Sequence, residues 1–236
     1  MNYLKLMSND HQIFFSESPV IDGHITLDKE EGRHALKVMR LKSGDRALVI
    51  DGKGKAFFTV LEKKQRTAVF RVQEEEEEPK PPEKILCCAM IKKNAFEKIV
   101  EYCAQTEISE IIPVSCSRSP AGIMYSSSFM ERLKVKSRAA LKQSGGRWLT
   151  NISRPLELKK IPEECRNIKK RFIALQGRRE TIQADEPALT LIGPEGGFTE
   201  DEIAFALENG FIESGLGNRR LRSEAAAFAA AIKMCV

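Results

Sequence analysis

Leu189-Thr190-Leu191-Ile192-Gly193-Pro194-Glu195-Gly196-Gly197-Phe198-Thr199 decides how this chain is read. Its first residues make a strand of the kind buried on both faces, and the glycines then let the backbone turn and approach a ligand closely. Pro194 stiffens that turn at little entropic cost. Thr199-Glu200-Asp201-Glu202 is a capping box, whose hydroxyl and carboxylate satisfy the amides left free where a helix starts, so a helix to Asn209 is expected. A strand, a glycine-rich turn and a capped helix form the arrangement with which open α/β sheets bind ligands at the carboxyl ends of strands. The stretch is neither GxGxxG nor a Walker loop, it lacks the Lys-Ser/Thr that holds phosphate and magnesium, and Glu195 repels a phosphate. A ligand with a cationic centre or a neutral adenosine suits it better. A tight turn with no ligand is the other reading.

Downstream, Phe211 to Ser214 is read as a strand that enters Gly215-Leu216-Gly217-Asn218-Arg219-Arg220-Leu221-Arg222 and then a nearly all-apolar helix from Glu224 to Cys235, capped by Ser223. Three arginines in four positions are odd for a solvated loop, and at least one is expected to contact an anion or ligand. Upstream the same rhythm holds. Ile85 to Ile91 is a continuous apolar run, Asn94 to Gln105 carries Phe96, Ile99, Val100 and Cys103 at helical spacing, and Glu110 to Val114 is a short strand. Phe129 to Gln143 is read as a helix, and Arg171 to Leu175 as a strand. Alternating strands and helices predict a mostly parallel sheet covered on both faces.

The run Glu74 to Lys84, EEEEEPKPPEK, interrupts this pattern and is read as a linker, because like charges repel and prolines resist regular structure. Before it, Arg46 to Ile50, Lys55 to Leu61 and Thr67 to Val72 are short segments separated by turn signals, as in a small β-barrel or sandwich. Lys29 to Leu41 is expected to be helical. The division is therefore residues 1–73, a linker at 74–84, and an α/β domain at 85–236.

Of 236 residues 42% are hydrophobic and 30% charged, which excludes collagen-like and wholly disordered classes. The longest uncharged run, Ser119 to Met130, is too short and too rich in Ser to span a membrane. A charge interrupts the apolar residues of MNYLKLMSNDHQIFF, so no signal peptide is read and a cytoplasmic location is the default expectation. Six scattered cysteines suggest small buried residues rather than a disulfide framework, and with three histidines they show no metal-site spacing, so no metal is expected. The net charge of +5 hides an asymmetry. Arg132 to Arg179 carries fifteen Lys or Arg against three Glu. Such a segment suits a polyanion, of which nucleic acid is the commonest; solvated helix faces balanced by acidic neighbours are the alternative.

LIGPEGGFTEDEI at 191–203, followed by LGNRRLRSEAAA at 216–227, resembles the RsmE-type 16S ribosomal RNA uridine-N3 methyltransferases. Arg33-His34-Ala35-Leu36-Lys37-Val38-Met39-Arg40-Leu41-Lys42-Ser43-Gly44-Asp45 is similar to that family's N-terminal segment, and Ile111-Ile112-Pro113-Val114 with Arg118-Ser119 to its next strand and Arg-Ser. The resemblance implies an N-terminal PUA-like β-barrel that binds RNA and a C-terminal SPOUT α/β domain with a deep trefoil knot. It further implies S-adenosylmethionine as cofactor, a homodimer, no membrane, and 16S rRNA or the small ribosomal subunit as partner. Carried over by position, Ile192, Gly193, Pro194, Glu195, Gly196 and Gly197 form one cofactor loop, and Leu216, Gly217, Asn218, Leu221 and Arg222 another. Leu175, Gln176 and Gly177 complete the pocket. Arg222 is expected to be the cation that stabilises an anionic uracil, with Arg220 or Arg147 as substitutes, and Glu224 to orient Arg222 by bidentate pairing. Arg33, His34, Lys37, Arg40, Arg118 and Arg147 are the expected RNA contacts, although His34 reads equally as an ordinary barrel histidine.

Where the family has other residues, this chain has Tyr102, Gln105, Lys142 and Ala225. Tyr102, Gln105 and Ala225 favour the alternative, a diverged SPOUT-fold RNA-binding protein with another methylation target or none. A different α/β nucleotide-binding enzyme, which predicts ATP or NAD binding, is a third reading.

Overall fold

The structure is a computed structural model that describes residues 12–64, 67–121, 123–179 and 182–235. The residues before Gln12, on which the expectation of no signal peptide mainly rests, lie outside the described ones. The chain forms two compact units, one of Met1–Lys80 with Leu141–Leu149 and one of Pro81–Ala140 with Thr150–Val236. Among the described residues no helix is long and apolar enough to cross a membrane.

In the N-terminal unit β1 (Gln12–Phe15), β2 (His24–Thr26), β3 (Arg46–Ile50), β4 (Lys55–Lys64) and β5 (Ala68–Glu77) make one sheet in the order β1-β3-β4-β5-β2. β1 runs parallel to β3, and the other pairs are antiparallel. Period-two alternation sends Phe14, Val49, Phe57 and Phe70 into one cluster, and Phe15, Leu48, Ile50 and Ala56 into another with Leu141.

Two sequence expectations change here. The acidic run is not linker as far as Glu77: Glu74, Glu75, Glu76 and Glu77 are strand residues opposite Phe58, Phe57, Ala56 and Lys55. Lys55 pairs with Glu75 and Arg147 with Glu76, so the repulsion that argued against order is neutralised by neighbours distant in sequence. Only the segment from Glu78 to Glu83, with its three prolines, lies between strands. The helix expected across Lys29 to Leu41 is divided. α1 (Lys29–Arg33) is capped by Asp28, whose carboxylate accepts from the amides of Glu30 and Glu31. A wide π-helical turn, His34–Val38, follows, in which Met39 N–H donates to the His34 carbonyl at 2.9 Å. Arg40, at φ 56°, leaves that turn through the left-handed region, which costs a non-glycine residue on the order of 1 kcal/mol.

The second unit holds a seven-stranded parallel sheet of β6 (Lys84–Ala89), β7 (Glu110–Ser115), β8 (Asn151–Ile152), β9 (Leu156–Glu157), β10 (Lys170–Ala174), β11 (Ala188–Ile192) and β12 (Phe211–Ser214). Its order is β12-β10-β11-β6-β7-β8, with β9 also on β7. Every residue of β6 and β11 is buried, as the continuous apolar runs require. Leu86 and Cys88 face a cluster built by α2 (Lys93–Cys103), α3 (Ser127–Ser144) and α6 (Ser223–Cys235), through Phe96, Ile99, Leu133, Ala227, Ala230 and Met234. Ile85, Cys87 and Ala89 face the opposite cluster, to which α4 (Ile161–Glu164) brings Ile161 and α5 (Glu200–Glu208) brings Ala206. Both faces are thus covered. Truncating a fully buried anchor such as Phe96 to Ala would cost about 3–5 kcal/mol. The six cysteines are free thiols, five of them buried.

Candidate functional site

The order β12-β10-β11 brings three carboxyl ends to one edge of the sheet. Ala174 pairs with Ser214 and Ile173 with Leu191, so the loops after Ala174, Ile192 and Ser214 leave side by side. Between them lies a cleft of about 230 Å³, with Ser223 and Ala226 of α6 closing one side. This is the edge at which open α/β sheets bind ligands.

Each loop is held by specific contacts. Leu175 N–H donates to the Ser214 carbonyl at 2.9 Å, tying the first loop to the third strand. Beyond it, the Arg178 carbonyl occupies the space that a β-carbon on Gly215 would need, so two backbones cross there with no side chain between them. In the second loop the Phe198 ring lies over Gly193, 3.1 Å from where a β-carbon would stand. Gly197, at φ 72°, donates its N–H to the Pro194 carbonyl at 2.8 Å. The expected capping box is formed: Glu202 N–H donates to Thr199 Oγ1 at 3.2 Å, and Thr199 N–H to Glu202 Oε2 at 2.9 Å. Arg220 Nη2 donates to the Glu195 carbonyl at 2.8 Å, bridging the second and third loops.

Of the residues expected to bind a cofactor, Leu175, Gln176, Ile192, Gly193, Pro194, Glu195, Gly196, Gly197, Leu216, Gly217 and Leu221 line the cleft; Gly177, Asn218 and Arg222 do not. Arg222 is exposed and, among the described residues, forms no ion pair with Glu224. The expected bidentate pairing is therefore absent, because residues two apart at a helix start point in different directions. The sequence reading missed Ala174, Phe198, Arg219, Ser223 and Ala226 as lining residues, named Arg220 only as a substitute cation, and did not single out Gly215 as the point of closest backbone approach. Phe198 stood inside the quoted stretch, whereas nothing local marks Gly215 out from the other loop glycines.

The expected RNA contacts separate into three groups. Arg33, His34, Lys37 and Arg40 are exposed around α1 and the π-helical turn, and the His34 ring meets Phe14 edge-on at 6.1 Å. Arg118 reaches the Gly196 and Phe198 carbonyls from its Nη1 at 3.0 and 3.1 Å. Arg147 is a correction: its side chain is 4% exposed and paired with Glu76, so it is buried in the N-terminal unit, where it neutralises the acidic strand.

The cleft lining combines leucines and isoleucine with backbone groups, one carboxylate at Glu195 and two guanidinium groups at Arg219 and Arg220. Nearby groups with acidic protons are held neutral. Burial pushes the Tyr125 hydroxyl up, and it donates to the Ile91 carbonyl at 2.7 Å while accepting from that residue's N–H. Burial also pushes the Cys116 thiol up to about 12. Neither is suited to act as a base or nucleophile. Among the described residues no group of three or more His, Cys, Asp or Glu could hold a metal ion.

Comparison with known proteins places this geometry in a family. Residues 77–234 match the family model of the RNA methyltransferase domain, and residues 27–74 that of the RNA methyltransferase PUA domain. A ribosomal RNA small subunit methyltransferase E of Synechocystis sp. is 26% identical over 223 residues, covering 90% of this chain and 73% of that protein. One of Mesomycoplasma hyopneumoniae is 30% identical over 149 residues, 61% of this chain and 65% of that one. The crystal structure of a Neisseria gonorrhoeae ribosomal RNA small subunit methyltransferase E bound to S-adenosyl methionine shares the fold, with a TM-score of 0.85 at 23% identity over 94% of this chain and 95% of that one. With two thirds of its length in the catalytic-domain match and a PUA domain ahead of it, the chain belongs to the RNA methyltransferase family.

Proposed function

We propose that this protein transfers a methyl group from S-adenosylmethionine to N3 of a uridine in 16S rRNA of the small ribosomal subunit. The observation that carries the reading is the three-loop cleft at the carboxyl ends of β10, β11 and β12, whose lining is apolar side chains, glycine backbone, the Glu195 carboxylate and, from the third loop, the guanidinium groups of Arg219 and Arg220. Such a lining fits a neutral adenosine with a cationic sulfonium: leucines cover base faces, backbone groups meet the base edge, and Glu195 favours positive charge. The names of the two relatives and of the Neisseria structure support the substrate and cofactor.

When bound, S-adenosylmethionine supplies an electrophilic methyl on a good leaving group. The chain's task is then alignment. The loops from Ile192 and Leu216 fix one reactant, and the arginines at the cleft mouth orient the other. Uridine N3 gives up its proton to solvent at or before the N3–carbon bond forms, leaving negative charge on the uracil ring. Arg222, between two cleft-lining residues, is the cation for that charge, with Arg220 next to it. Because N3 lies on the pairing edge, the target base must be unpaired or flipped out.

The finer architecture belongs to the same reading. The N-terminal sheet is a PUA-like barrel that grips RNA through Arg33, Lys37 and Arg40. The backbone crossing of Gly215 and Arg178 supports a deep trefoil knot around the cofactor. Tyr102 on α2 and Phe228 on α6 meet at a tilt with ring centroids 5.8 Å apart and, like Ile232, stay exposed, which supports a homodimer through that face. The site of action is the cytoplasm. Mass spectrometry of rRNA nucleosides from a strain lacking the gene tests the whole: 3-methyluridine disappears from 16S rRNA, and an unchanged level overturns the assignment. Calorimetry with S-adenosylmethionine tests the cofactor separately.

A further inference from the structure

Arg118 reads from sequence as an RNA contact, but its geometry assigns it elsewhere. It sits in the tight turn after β7, where Ser119 N–H donates to the Cys116 carbonyl at 3.0 Å. That turn is anchored to the start of α5: Ser117 N–H donates to Glu202 Oε1 at 2.6 Å, while the other oxygen of the same carboxylate accepts from Thr199 N–H. From this fixed base Nη1 of Arg118 donates to the carbonyls of both Gly196 and Phe198. Its aliphatic stem lies against Gly196, with Cβ and Cδ 3.3 and 3.4 Å from where a β-carbon would stand. One side chain thus holds the glycine loop at two points across Gly197, while Arg220 holds it at Glu195.

We propose that Arg118 is a positioning residue for the cofactor loop, setting the conformation of Gly196 to Phe198 before any ligand arrives, and does not contact RNA. The inference rests on the reading of this cleft as the S-adenosylmethionine site. Two charge-assisted bonds to backbone carbonyls hold a loop whose glycines cost the most entropy to order. Ordering the loop in advance lowers what a ligand must spend to bind. An arginine that bound RNA would instead keep its guanidinium fork open to phosphate, whereas here Nη1 is committed to two carbonyls of its own chain.

The test uses the full-length protein with Arg118→Met and Arg118→Lys, the second keeping charge and solubility should the first fold poorly. Hydrogen exchange on the unliganded protein is expected to accelerate at the Gly196 to Phe198 amides in both. The Kd and KM for S-adenosylmethionine are expected to rise roughly tenfold in Arg118→Met and less in Arg118→Lys, with kcat at saturating cofactor within about twofold of wild type. RNA affinity at saturating cofactor should not move. The proposal is overturned if exchange at 196–198 is unchanged, or if cofactor affinity is kept while RNA affinity falls. Failure of the wild-type protein to bind S-adenosylmethionine would sink the cofactor reading instead, and the exchange data would still decide whether the clamp exists.

Discussion

The backbone carbonyl of Arg178 fills the space above the α-carbon of Gly215, so the loop after β10 and the loop after β12 touch without any side chain between them. Alanine at 215 cannot be accommodated by rotating a side chain, because the obstacle is backbone. We expect Gly215→Ala to push the two loops apart, cost about 1–3 kcal/mol in thermal or urea denaturation, and abolish measurable cofactor binding. Gly210→Ala is the control. Gly210 has φ 78° and open space around its α-carbon, so it should lose about 1 kcal/mol through backbone strain alone and bind cofactor normally. Equal cofactor affinity in Gly215→Ala and wild type would contradict this role for the crossing.

Arg147 and Glu76 differ in burial: the arginine side chain is 4% exposed and the glutamate 36%. Removing each partner therefore leaves a different remainder. Glu76→Ala strands a buried guanidinium and should cost about 3–5 kcal/mol. Arg147→Met leaves a carboxylate that water reaches and an apolar chain of similar volume in the core, so it should cost clearly less, on the order of 1–2 kcal/mol. Urea denaturation of the two variants checks the order, and an equal or reversed order would contradict the burial argument.

The same pair shows what the sequence could and could not convey. Elements whose cause is local were legible: the all-buried β6 and β11, the Phe96-Ile99-Val100-Cys103 stripe of α2, and the Thr199–Glu202 capping box. So was most of the cleft, since glycine runs after buried strands advertise a turn that meets a ligand. Features that depend on a partner far along the chain were not legible. The acidic run is strand because Lys55 and Arg147 lie beside it, and Arg147 is 71 residues away from Glu76. That Arg118 bonds to the Gly196 and Phe198 carbonyls was not legible either, because those acceptors are about as remote. Gly215 is set apart only by the Arg178 backbone. The short β1, β2, β8 and β9 gave no period to read.

His24 supplies a pH-dependent contact in the N-terminal unit. Its Nε2 lies 2.8 Å from Glu62 Oε2 and its Nδ1 2.7 Å from the Asp22 carbonyl, so the protonated ring can donate to both. The hydrogen bond that Glu62 accepts, followed by the one the Asp22 carbonyl accepts, raises the His24 pKa. Hydrogen bonds from His24 and Arg71 lower that of Glu62. A raised histidine pKa contributes stability that is fully present below about 6.5 and is lost as pH rises through the folded-state value. The lowered carboxylate contributes above about 4.3 and is lost as pH falls through its own folded-state value. The contact is thus complete between those limits. We expect His24→Gln to lower the unfolding midpoint near pH 5.5 and to leave it nearly unchanged near pH 8.5, as read by thermal denaturation at the two values. An equal loss at both would show that the contact is not titrating.

Arg33, Lys37 and Arg40 are exposed on one short stretch formed by α1, the π-helical turn and the residues that end it. If this stretch grips the RNA backbone, each cation displaces condensed counterions, and affinity falls as salt rises. Replacing all three removes about two units from the slope of log affinity against log salt, at roughly 0.7 per phosphate contact on a single strand. The substitutions should respect the backbone. Gln serves at positions 33 and 37, whereas Asn is the choice at 40, where φ is 56° and Asn tolerates the left-handed region. RNA affinity measured across a salt series should fall in the triple variant by a factor that shrinks as salt rises, while cofactor affinity in the separate C-terminal cleft stays constant. An unchanged slope would move the RNA grip away from this turn and onto the basic residues of the catalytic domain.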